Sequence, residues 1–258
     1  MRHGEFDSDT SALEQRILSH EKYGTNDLNE WIFSILRPGE GQTILDLGCG
    51  TGKQSIPLAQ AVGAEGRIVS IDVSRDAVDA VDRRAAELGL GDRIETVCDS
   101  LDNLAGRVAG SLFDRIVASY SIYYVDDADR LFRTLSGMLA PGGLLFFCGP
   151  SSANNKEIID FHNEVKGSPV GSAGTAQVFM EGDGPRLARQ YFGDVAVHQF
   201  ENPIRFDGAE ALCAYWSSYN LYDPAIETAF RAAADAHFAG HDMFQTTKRV
   251  IGISADKA

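Results

Sequence analysis

The sequence has few cysteines, and none are paired at the spacing of a metal-binding or redox motif. Cys49, Cys98, Cys148 and Cys213 are the four cysteines among 258 residues, and no CxxC motif occurs. This excludes a zinc ribbon and a thioredoxin-like redox pair. Isolated cysteines inside or beside predicted strands behave as small apolar residues, so we expect a reducing, cytoplasmic location.

The chain also lacks a long apolar run and an excess of positive charge. No apolar stretch approaches the roughly 18 residues of a membrane-spanning helix, and residues 1–15 contain no apolar run. We therefore expect neither a secretory signal nor a membrane partner. The chain has 23 Lys and Arg against 37 Asp and Glu, a formal net charge of −14. Such a surface repels phosphate backbones, which argues against nucleic acid as the main partner.

Short apolar runs alternate with helical patterns from residue 42 onward. This alternation is typical of an α/β fold, a parallel sheet with helices on both faces. Helical spacing of apolar residues predicts helices over 10–22, 26–37, 75–88, 127–139 and 154–165. The apolar runs predict strands over 43–47, 67–73, 93–98, 113–119 and 144–148.

The pattern changes after residue 148. Further strands are predicted over 194–200 and 244–254, and the segment 167–184, rich in Gly and Ser, predicts a mobile loop. We expect one domain, in which ligands bind at the carboxyl ends of the parallel strands. Its predicted parts are an N-terminal helical lid (1–40), a core (41–149), a substrate cap region (150–243) and a final strand (244–258).

The stretch 44–55, ILDLGCGTGKQS, links the first predicted strand to a helix and has glycine at every second position of its loop. A phosphate-binding P-loop requires GxxxxGK[ST], but Leu47 stands at its first glycine position and Gln54 at its hydroxyl position. The dinucleotide fingerprint GxGxxG has Lys53 where its third glycine belongs. That departure weakens a nicotinamide-binding interpretation and does not exclude it.

Asp46 is the residue that neither interpretation explains. It precedes Gly48, Gly50 and Gly52, where the lack of a Cβ atom lets the backbone turn sharply and approach a ligand. A carboxylate at the exit of the first strand repels phosphate and suits a cationic group, such as an amino-acid ammonium.

An acidic residue followed by GxGxG resembles the first motif of the class I S-adenosylmethionine-dependent methyltransferases. The resemblance covers roughly residues 40–150 and the final strand. It implies a doubly wound, mostly parallel Rossmann-like sheet with an antiparallel last strand. It also implies S-adenosylmethionine as the cofactor and methyl transfer as the activity.

The resemblance extends to residues that follow the second and third strands. Asp72 lies 72 − 52 = 20 residues after Gly52, where a carboxylate can accept both ribose hydroxyls. Asp99 stands where the family places an acidic residue on the adenine amino group, and the amide of Ser100 or Leu101 stands where the family's amide reaches the ring. Seen in isolation, Asp99 is more often a helix cap or a turn residue.

The fourth run ends at Ser119, which the resemblance places in the cofactor site. Enzymes that methylate adenine amino groups carry [N/D/S]PP[Y/F/W] here and metal-dependent catechol-type enzymes an aspartate, whereas this chain reads SYSI. No Pro-Cys pair is present for cytosine C5 chemistry. These departures predict metal-independent methylation of a small-molecule acceptor. We expect the methyl group to reach an oxygen or nitrogen atom of that acceptor rather than a carbon. A non-methylating role of the same fold, as a lyase or a binding partner, and a nicotinamide oxidoreductase are the alternatives.

Two residues are candidates for the base that removes a proton from the acceptor. Many relatives carry a His-His tail where this chain has Tyr124 after another tyrosine, and a tyrosine with a pKa near about 10 is a poor base at neutral pH. His162 borders the apolar stripe of the helix over 154–165, where a structural role is the alternative. Tyr23 is a candidate to touch the cofactor from the N-terminal lid, or else an aromatic at a helix end. The oligomeric state stays open.

Overall fold

The computed structural model describes residues 23–108, 110–169, 174–219 and 221–257. The predicted helix over 10–22 lies outside these residues. Seven strands within them form one sheet. The strands are β1 (Thr43–Leu47), β2 (Arg67–Asp72), β3 (Ile94–Cys98), β4 (Phe113–Ser119), β5 (Leu139–Pro150), β6 (Val195–Phe206) and β7 (Phe244–Asp256).

The order of the strands is β3-β2-β1-β4-β5-β7-β6. Strands β1 to β5 pair in parallel, and β7 pairs with β5 in the antiparallel direction, with Phe147 opposite Ile253. The prediction of a doubly wound, mostly parallel sheet with an antiparallel last strand is therefore confirmed. The chain reverses its direction of winding between β1 and β4, and ligands of such sheets bind at the carboxyl ends of the strands near this point.

Ten α-helices within the described residues accompany the sheet. They are α1 (Leu28–Leu36), α2 (Ser55–Ala61), α3 (Arg75–Glu87), α4 (Leu104–Arg107), α5 (Ala128–Met138), α6 (Lys156–Lys166), α7 (Thr175–Val178), α8 (Gly184–Tyr191), α9 (Ala209–Ser217) and α10 (Glu227–Gly240). Shorter turns of helix cover Leu101–Asn103, Ile122–Tyr124, Phe179–Asp183 and Pro224–Ile226.

Helix α3 shows how the sequence sets these elements. The Ser74 hydroxyl accepts a hydrogen bond from the Ala77 amide at 3.3 Å and caps the start of the helix. Val78 and Val81 lie on the buried face of α3, which packs on β2 and β3. Gly89 follows the end of the helix with φ +68°, a left-handed conformation that favours glycine. The helix predicted over 75–88 is thus confirmed.

Two strands, β5 and β6, extend at least five residues beyond the apolar runs that predicted them. Strand β5 begins at Leu139, opposite Phe113, and the register shifts before Leu144 pairs with Arg115. The intervening residues 140–143, Ala-Pro-Gly-Gly, interrupt the apolar run. The sequence pattern therefore predicted only the part of β5 that follows them. Strand β6 likewise continues to Phe206, beyond the predicted end at residue 200.

The prediction of a mobile loop over 167–184 is wrong for the described residues from 174 onward. Thr175–Val178 forms a helical turn, and Phe179–Asp183 continues it as a single π-helical turn. Phe179 and Met180 are buried in the apolar core around the sheet. Burial of these two large side chains fixes a segment whose glycine content alone predicts a loop. Residues 170–173 lie outside the described residues.

The chain divides into two compact units. The described residues of the first unit lie within 23–27, 153–173 and 200–249, and its apolar core includes Tyr215 and Trp216. The second unit contains the described residues of 28–152, 174–199 and 250–257, with β1 to β5 and their core. The predicted cap region, 150–243, is shared between the units, and the arrangement of lid, core and cap stays a prediction. No helix in the described residues has the length and apolar character needed to span a bilayer.

Candidate functional site

Asp46 lies near the carboxyl end of β1 and is buried, with 1% of its surface exposed. Its Oδ2 accepts a hydrogen bond from the Ser55 hydroxyl at 2.6 Å, and Ser70 donates to the Ser55 oxygen at 2.9 Å. Its Oδ1 is buried and has no hydrogen-bond partner within the described part of the chain. Burial raises the pKa of Asp46 to about 7, against the lowering effect of the Ser55 bond. Asp46 therefore carries one buried acceptor oxygen whose hydrogen-bonding capacity the described residues do not use.

The glycine loop after β1 is tied to β2, since the Gly48 amide donates to the Ile71 carbonyl at 2.7 Å. Gly48, Gly50 and Gly52 have φ values of +70°, +51° and +87°, all left-handed. A Cβ atom on Gly48 would lie 2.2 Å from the Cβ of Ser121, so packing within the protein requires that glycine. A Cβ atom on Gly50 would meet no atom within 4 Å. Gly50 therefore faces open space in which a ligand can approach the backbone.

Asp72 ends β2 beside this loop. Its Oδ2 accepts from the Gly50 amide at 2.8 Å, and its Oδ1 accepts from the Ser74 amide at 2.9 Å. The Asp72 carbonyl accepts from the Asp99 amide at 3.0 Å, which joins the ends of β2 and β3. The structure thus brings Gly50, Asp72 and Asp99 together at one edge of the sheet. The negative charge of Asp72 also contributes to the raised pKa of Asp46.

Asp99 is held by three donors. Its Oδ1 accepts from the Ser100 amide at 2.7 Å and from Asn103 Nδ2 at 2.8 Å, and its Oδ2 pairs with Arg107. The Asn103 and Arg107 contacts hold the pKa of Asp99 below its usual range. Because the Ser100 amide is engaged with Asp99, Leu101 is the better candidate for an amide that contacts a ligand.

The end of β4 faces the glycine loop across the winding reversal. Ser119 Oγ lies 3.5 Å from Cys148 Sγ, and the buried Ser121 hydroxyl donates to the Leu47 carbonyl. Tyr124 follows in a helical turn, 43% exposed, with its ring 4.7 Å from that of Tyr123. The Tyr124 side chain is accessible at the carboxyl end of the sheet, where an acceptor molecule would lie.

His162 and Tyr23 belong to the first unit. His162 is 1% exposed, and its Nδ1 accepts a hydrogen bond from Trp216 Nε1 at 3.1 Å. Because the indole nitrogen can only donate, the neutral imidazole must carry its proton on Nε2. No basic nitrogen of His162 is then free, which favours the structural role that the sequence left open. The Tyr23 ring packs 5.4 Å from Phe206, and its contact with a cofactor stays a prediction.

Sequence reasoning missed the polar residues that support the loop. Asn29 on α1 donates to the Lys53 carbonyl at 2.9 Å and accepts from Gln54 Nε2 at 2.8 Å. Ser55 also supports the loop, because its hydroxyl donates a hydrogen bond to the Asp46 carboxylate. Ser55 is the last residue of the quoted stretch 44–55 and the first residue of α2, so its position was a signal that could have been used. The contact of Asn29 depends on tertiary packing and has no signature in the sequence.

Comparison with known proteins identifies the part of the chain that carries these residues. Residues 44–143 match a family model described as a methyltransferase domain. This segment includes the glycine loop and the ends of β1 to β4. It is a class I S-adenosylmethionine-dependent methyltransferase domain.

Several proteins resemble the chain over its methyltransferase domain. Aklanonic acid methyltransferase of Streptomyces sp. (strain C5) is 28% identical over 144 residues, 55% of this chain and 64% of that protein. Ubiquinone biosynthesis O-methyltransferase of Parvibaculum lavamentivorans is 38% identical over 111 residues, 43% of this chain and 41% of that protein. The matches therefore span less than two thirds of these relatives.

Solved structures extend the likeness of fold beyond the methyltransferase domain. A methyltransferase from Aquifex aeolicus, described as SAM-dependent, superposes with a TM-score of 0.57 at 14% identity. The superposition covers 98% of this chain and 100% of that one. At this level of identity the likeness concerns the fold alone.

The residues present fit the cofactor of the methyltransferase domain. Asp46 offers a buried carboxylate oxygen without a partner in the described residues, which suits a ligand ammonium. Gly50 leaves its backbone open to close approach, and Asp72 offers carboxylate oxygens beside it. In the part of the chain that the structure describes, no three His, Cys, Asp or Glu side chains cluster as metal ligands would.

Proposed function

We propose that the protein transfers the methyl group of S-adenosylmethionine, without a metal ion, to an oxygen or nitrogen atom of a small molecule. The observation that carries the proposal is the loop in which Asp46, Gly50 and Asp72 converge. Its buried acceptor oxygen and open backbone suit a ligand that carries both an ammonium and a ribose.

Each residue of the loop has a distinct role in this proposal. Asp46 binds the ammonium through Oδ1, while Ser55 holds Oδ2 and fixes the carboxylate. Asp72 accepts from the ribose hydroxyls, and its bond from the Gly50 amide sets the orientation of its carboxylate. Asp99 and the Leu101 amide recognise the adenine ring. Ser119, at the end of β4, lines the same site.

When bound, S-adenosylmethionine supplies a methyl group on a positively charged sulfur, which leaves readily. The protein therefore contributes chiefly by aligning the acceptor and excluding water, which can supply several kcal/mol of the barrier. Tyr124 is exposed at the carboxyl end of the sheet, and its hydroxyl can orient an acceptor oxygen or nitrogen. We assign it this orienting role rather than that of a base.

The target atoms are proposed from the name of a relative, and the small-molecule substrate from the sequence and charge of the chain. One relative reported above carries O-methyltransferase in its name. The chain has Ser119 and Tyr120 where adenine-amino methyltransferases carry their proline-containing motif. The net charge of −14 further disfavours a nucleic acid substrate.

The proposal is tested by the formation of S-adenosylhomocysteine. The protein is incubated with S-adenosylmethionine and either hydroxylated aromatic compounds or primary amines, and both products are quantified by mass spectrometry. We expect stoichiometric S-adenosylhomocysteine and methylated acceptor, and no change on addition of EDTA. Tight cofactor binding with no turnover on either class of acceptor would support a non-methylating role instead. Loss of turnover with EDTA would contradict metal independence.

A further inference from the structure

Asp99 is fixed by residues on one short helical segment. Asn103 and Arg107 lie four and eight residues after Asp99, and the turns Leu101–Asn103 and Leu104–Arg107 place both side chains on the Asp99 side. Residues at such spacing share one face of a helix. The sequence therefore builds a clamp around one carboxylate, which we name the Asp99 clamp, made of Ser100, Asn103 and Arg107.

The Asp99 clamp leaves one acceptor position unused among the contacts of the described residues. An ionised carboxylate has about four lone-pair positions, two on each oxygen. The Ser100 amide and Asn103 take both positions on Oδ1, and Arg107 takes one on Oδ2. The remaining position is on Oδ2, the oxygen that Arg107 orients.

Asp99 borders a groove in which a ligand can lie. Asp99, Leu101, Asn103 and Arg107 are among the residues that line a groove of about 450 Å³. The Asp99 side chain is only 12% exposed, while that of Arg107 is 58% exposed. A carboxylate that is mostly shielded from water but open to a groove suits a neutral N–H donor of defined geometry.

We propose that Arg107, assisted by Asn103, is a positioning residue that aims the free lone pair of Asp99 at the exocyclic amino group of adenine. This inference rests on the proposed cofactor site. Arg107 then sets the preference for an adenosyl ligand over one with a 6-oxo ring, because a ring carbonyl offers Asp99 no donor. Repulsion between the ring carbonyl and the carboxylate adds to the discrimination.

The test compares S-adenosylhomocysteine with S-inosylhomocysteine, in which a carbonyl replaces the 6-amino group and N1 carries a hydrogen, by calorimetric titration of the full chain. The wild type binds S-adenosylhomocysteine more tightly. We expect Arg107→Gln to weaken S-adenosylhomocysteine about fivefold, the upper range for an exposed ion pair, and to leave S-inosylhomocysteine within about twofold. Arg107→Lys, which retains the charge, restores part of the discrimination.

Arg84→Gln is the matched control. Arg84 on α3 pairs with Glu87 at 3.2 Å and is 59% exposed, close to the exposure of Arg107, so its loss removes an exposed ion pair without touching the Asp99 clamp. We expect both ligands to bind this variant as they bind the wild type. Asn103→Ala removes a different donor to Asp99. It tests the same loss of discrimination between the two ligands if Arg107→Gln does not fold.

Equal weakening of both ligands by Arg107→Gln, or no change in either, would overturn the positioning role. Either result would leave the cofactor site intact, since the wild type still binds S-adenosylhomocysteine. Failure of the wild type to bind S-adenosylhomocysteine would instead contradict the proposed function itself. The two proposals are thus separated by one set of titrations.

Discussion

The amide of Gly50 donates a hydrogen bond to the carboxylate of Asp72 at 2.8 Å. This bond links the glycine loop after β1 to the end of β2, and it joins two features that the sequence presents 22 residues apart. The open space beside Gly50 and the carboxylate of Asp72 thereby form one surface.

Gly50→Ala should abolish cofactor binding at a small cost in stability. The added Cβ meets no protein atom within 4 Å but enters the space that the ligand needs, at a φ of +51°. Gly89→Ala is the matched control, because Gly89 has a φ of +68°, open space around its Cβ and a position outside the site. Both variants should lose roughly 1 kcal/mol of unfolding free energy from the left-handed backbone. Thermal unfolding and calorimetric titration with S-adenosylhomocysteine distinguish them, and equal binding by the two variants would refute the role of Gly50.

Asp72→Asn should weaken S-adenosylhomocysteine binding by about 10- to 100-fold, since hydrogen bonds to a charged group contribute about 1.5–3 kcal/mol. The asparagine keeps an acceptor for the Gly50 amide but loses the charge and one acceptor oxygen for the ribose. The measurement is the dissociation constant of S-adenosylhomocysteine and of its 2′-deoxy analogue. The variant should discriminate less between the two ligands than the wild type, and an unchanged ratio would exclude Asp72 from ribose recognition.

Cofactor affinity should rise with pH through the pKa of Asp46, which burial raises to about 7. Only the ionised carboxylate attracts the ligand ammonium, and its fraction falls from about 0.9 at one pH unit above the pKa to about 0.1 at one unit below. The apparent dissociation constant should therefore be about tenfold weaker at pH 6 than at pH 8. Asp46→Asn should bind weakly at both pH values, and a wild-type affinity that does not change with pH would contradict the ammonium role.

The same raised pKa predicts the opposite trend for stability without cofactor. The folded protein holds the Asp46 proton more tightly than the unfolded chain, so this stabilising effect is present in acid and is lost as the pH rises through about 7. Asp46→Asn removes the titration. Denaturant unfolding gives the free energy of unfolding of each protein. The value for Asp46→Asn minus the value for the wild type should increase between pH 5 and pH 8, and a constant difference would be inconsistent with a raised pKa.

His162 should make the first unit sensitive to acid. Burial and the charge of Lys166 lower the pKa of His162, while Asp223 acts in the opposite direction. A lowered histidine pKa gives stability that is present above the unfolded value and is lost as the pH falls below about 6.5. His162→Gln retains an acceptor for Trp216 and removes this titration. His162→Leu leaves the buried Trp216 N–H unsatisfied and should cost about 1–3 kcal/mol at neutral pH.

These stability differences are measured by denaturant unfolding at pH 7.5 and pH 5. The wild type should lose more stability between the two values than His162→Gln. If turnover of His162→Gln fell by orders of magnitude while its stability at neutral pH matched that of the wild type, the histidine would act in catalysis after all.

The sequence predicted the parallel strands and the cofactor loop well, because both depend on short-range patterns. Apolar runs separated by amphipathic helices marked β1 to β4, and the spacing of Asp46 and Asp72 with the glycines marked the loop. The start of β5 was missed, since Pro and Gly interrupt its apolar pattern around a register shift. The helical turns over 175–183 were missed because glycine content masks the burial of Phe179.

The supporting side chains of the site were harder to predict than its ligand-facing ones. Arg107 contacts Asp99 from eight residues away, and Asn29 contacts the loop from a separate helix. Neither lies inside a motif. Their positions depend on how helices pack after the strands are in place, which a pattern in one sequence does not contain. The Trp216 bond to His162 is a further example, since it sets the tautomer of a residue 54 positions away.

The most direct test of the central claim is a calorimetric titration of the wild-type protein with S-adenosylhomocysteine and, separately, with NADH. The loop with Asp46 and Asp72 predicts saturable one-to-one binding of S-adenosylhomocysteine and none of NADH. Binding of NADH without S-adenosylhomocysteine would contradict the assignment of this loop as an adenosyl-sulfonium site.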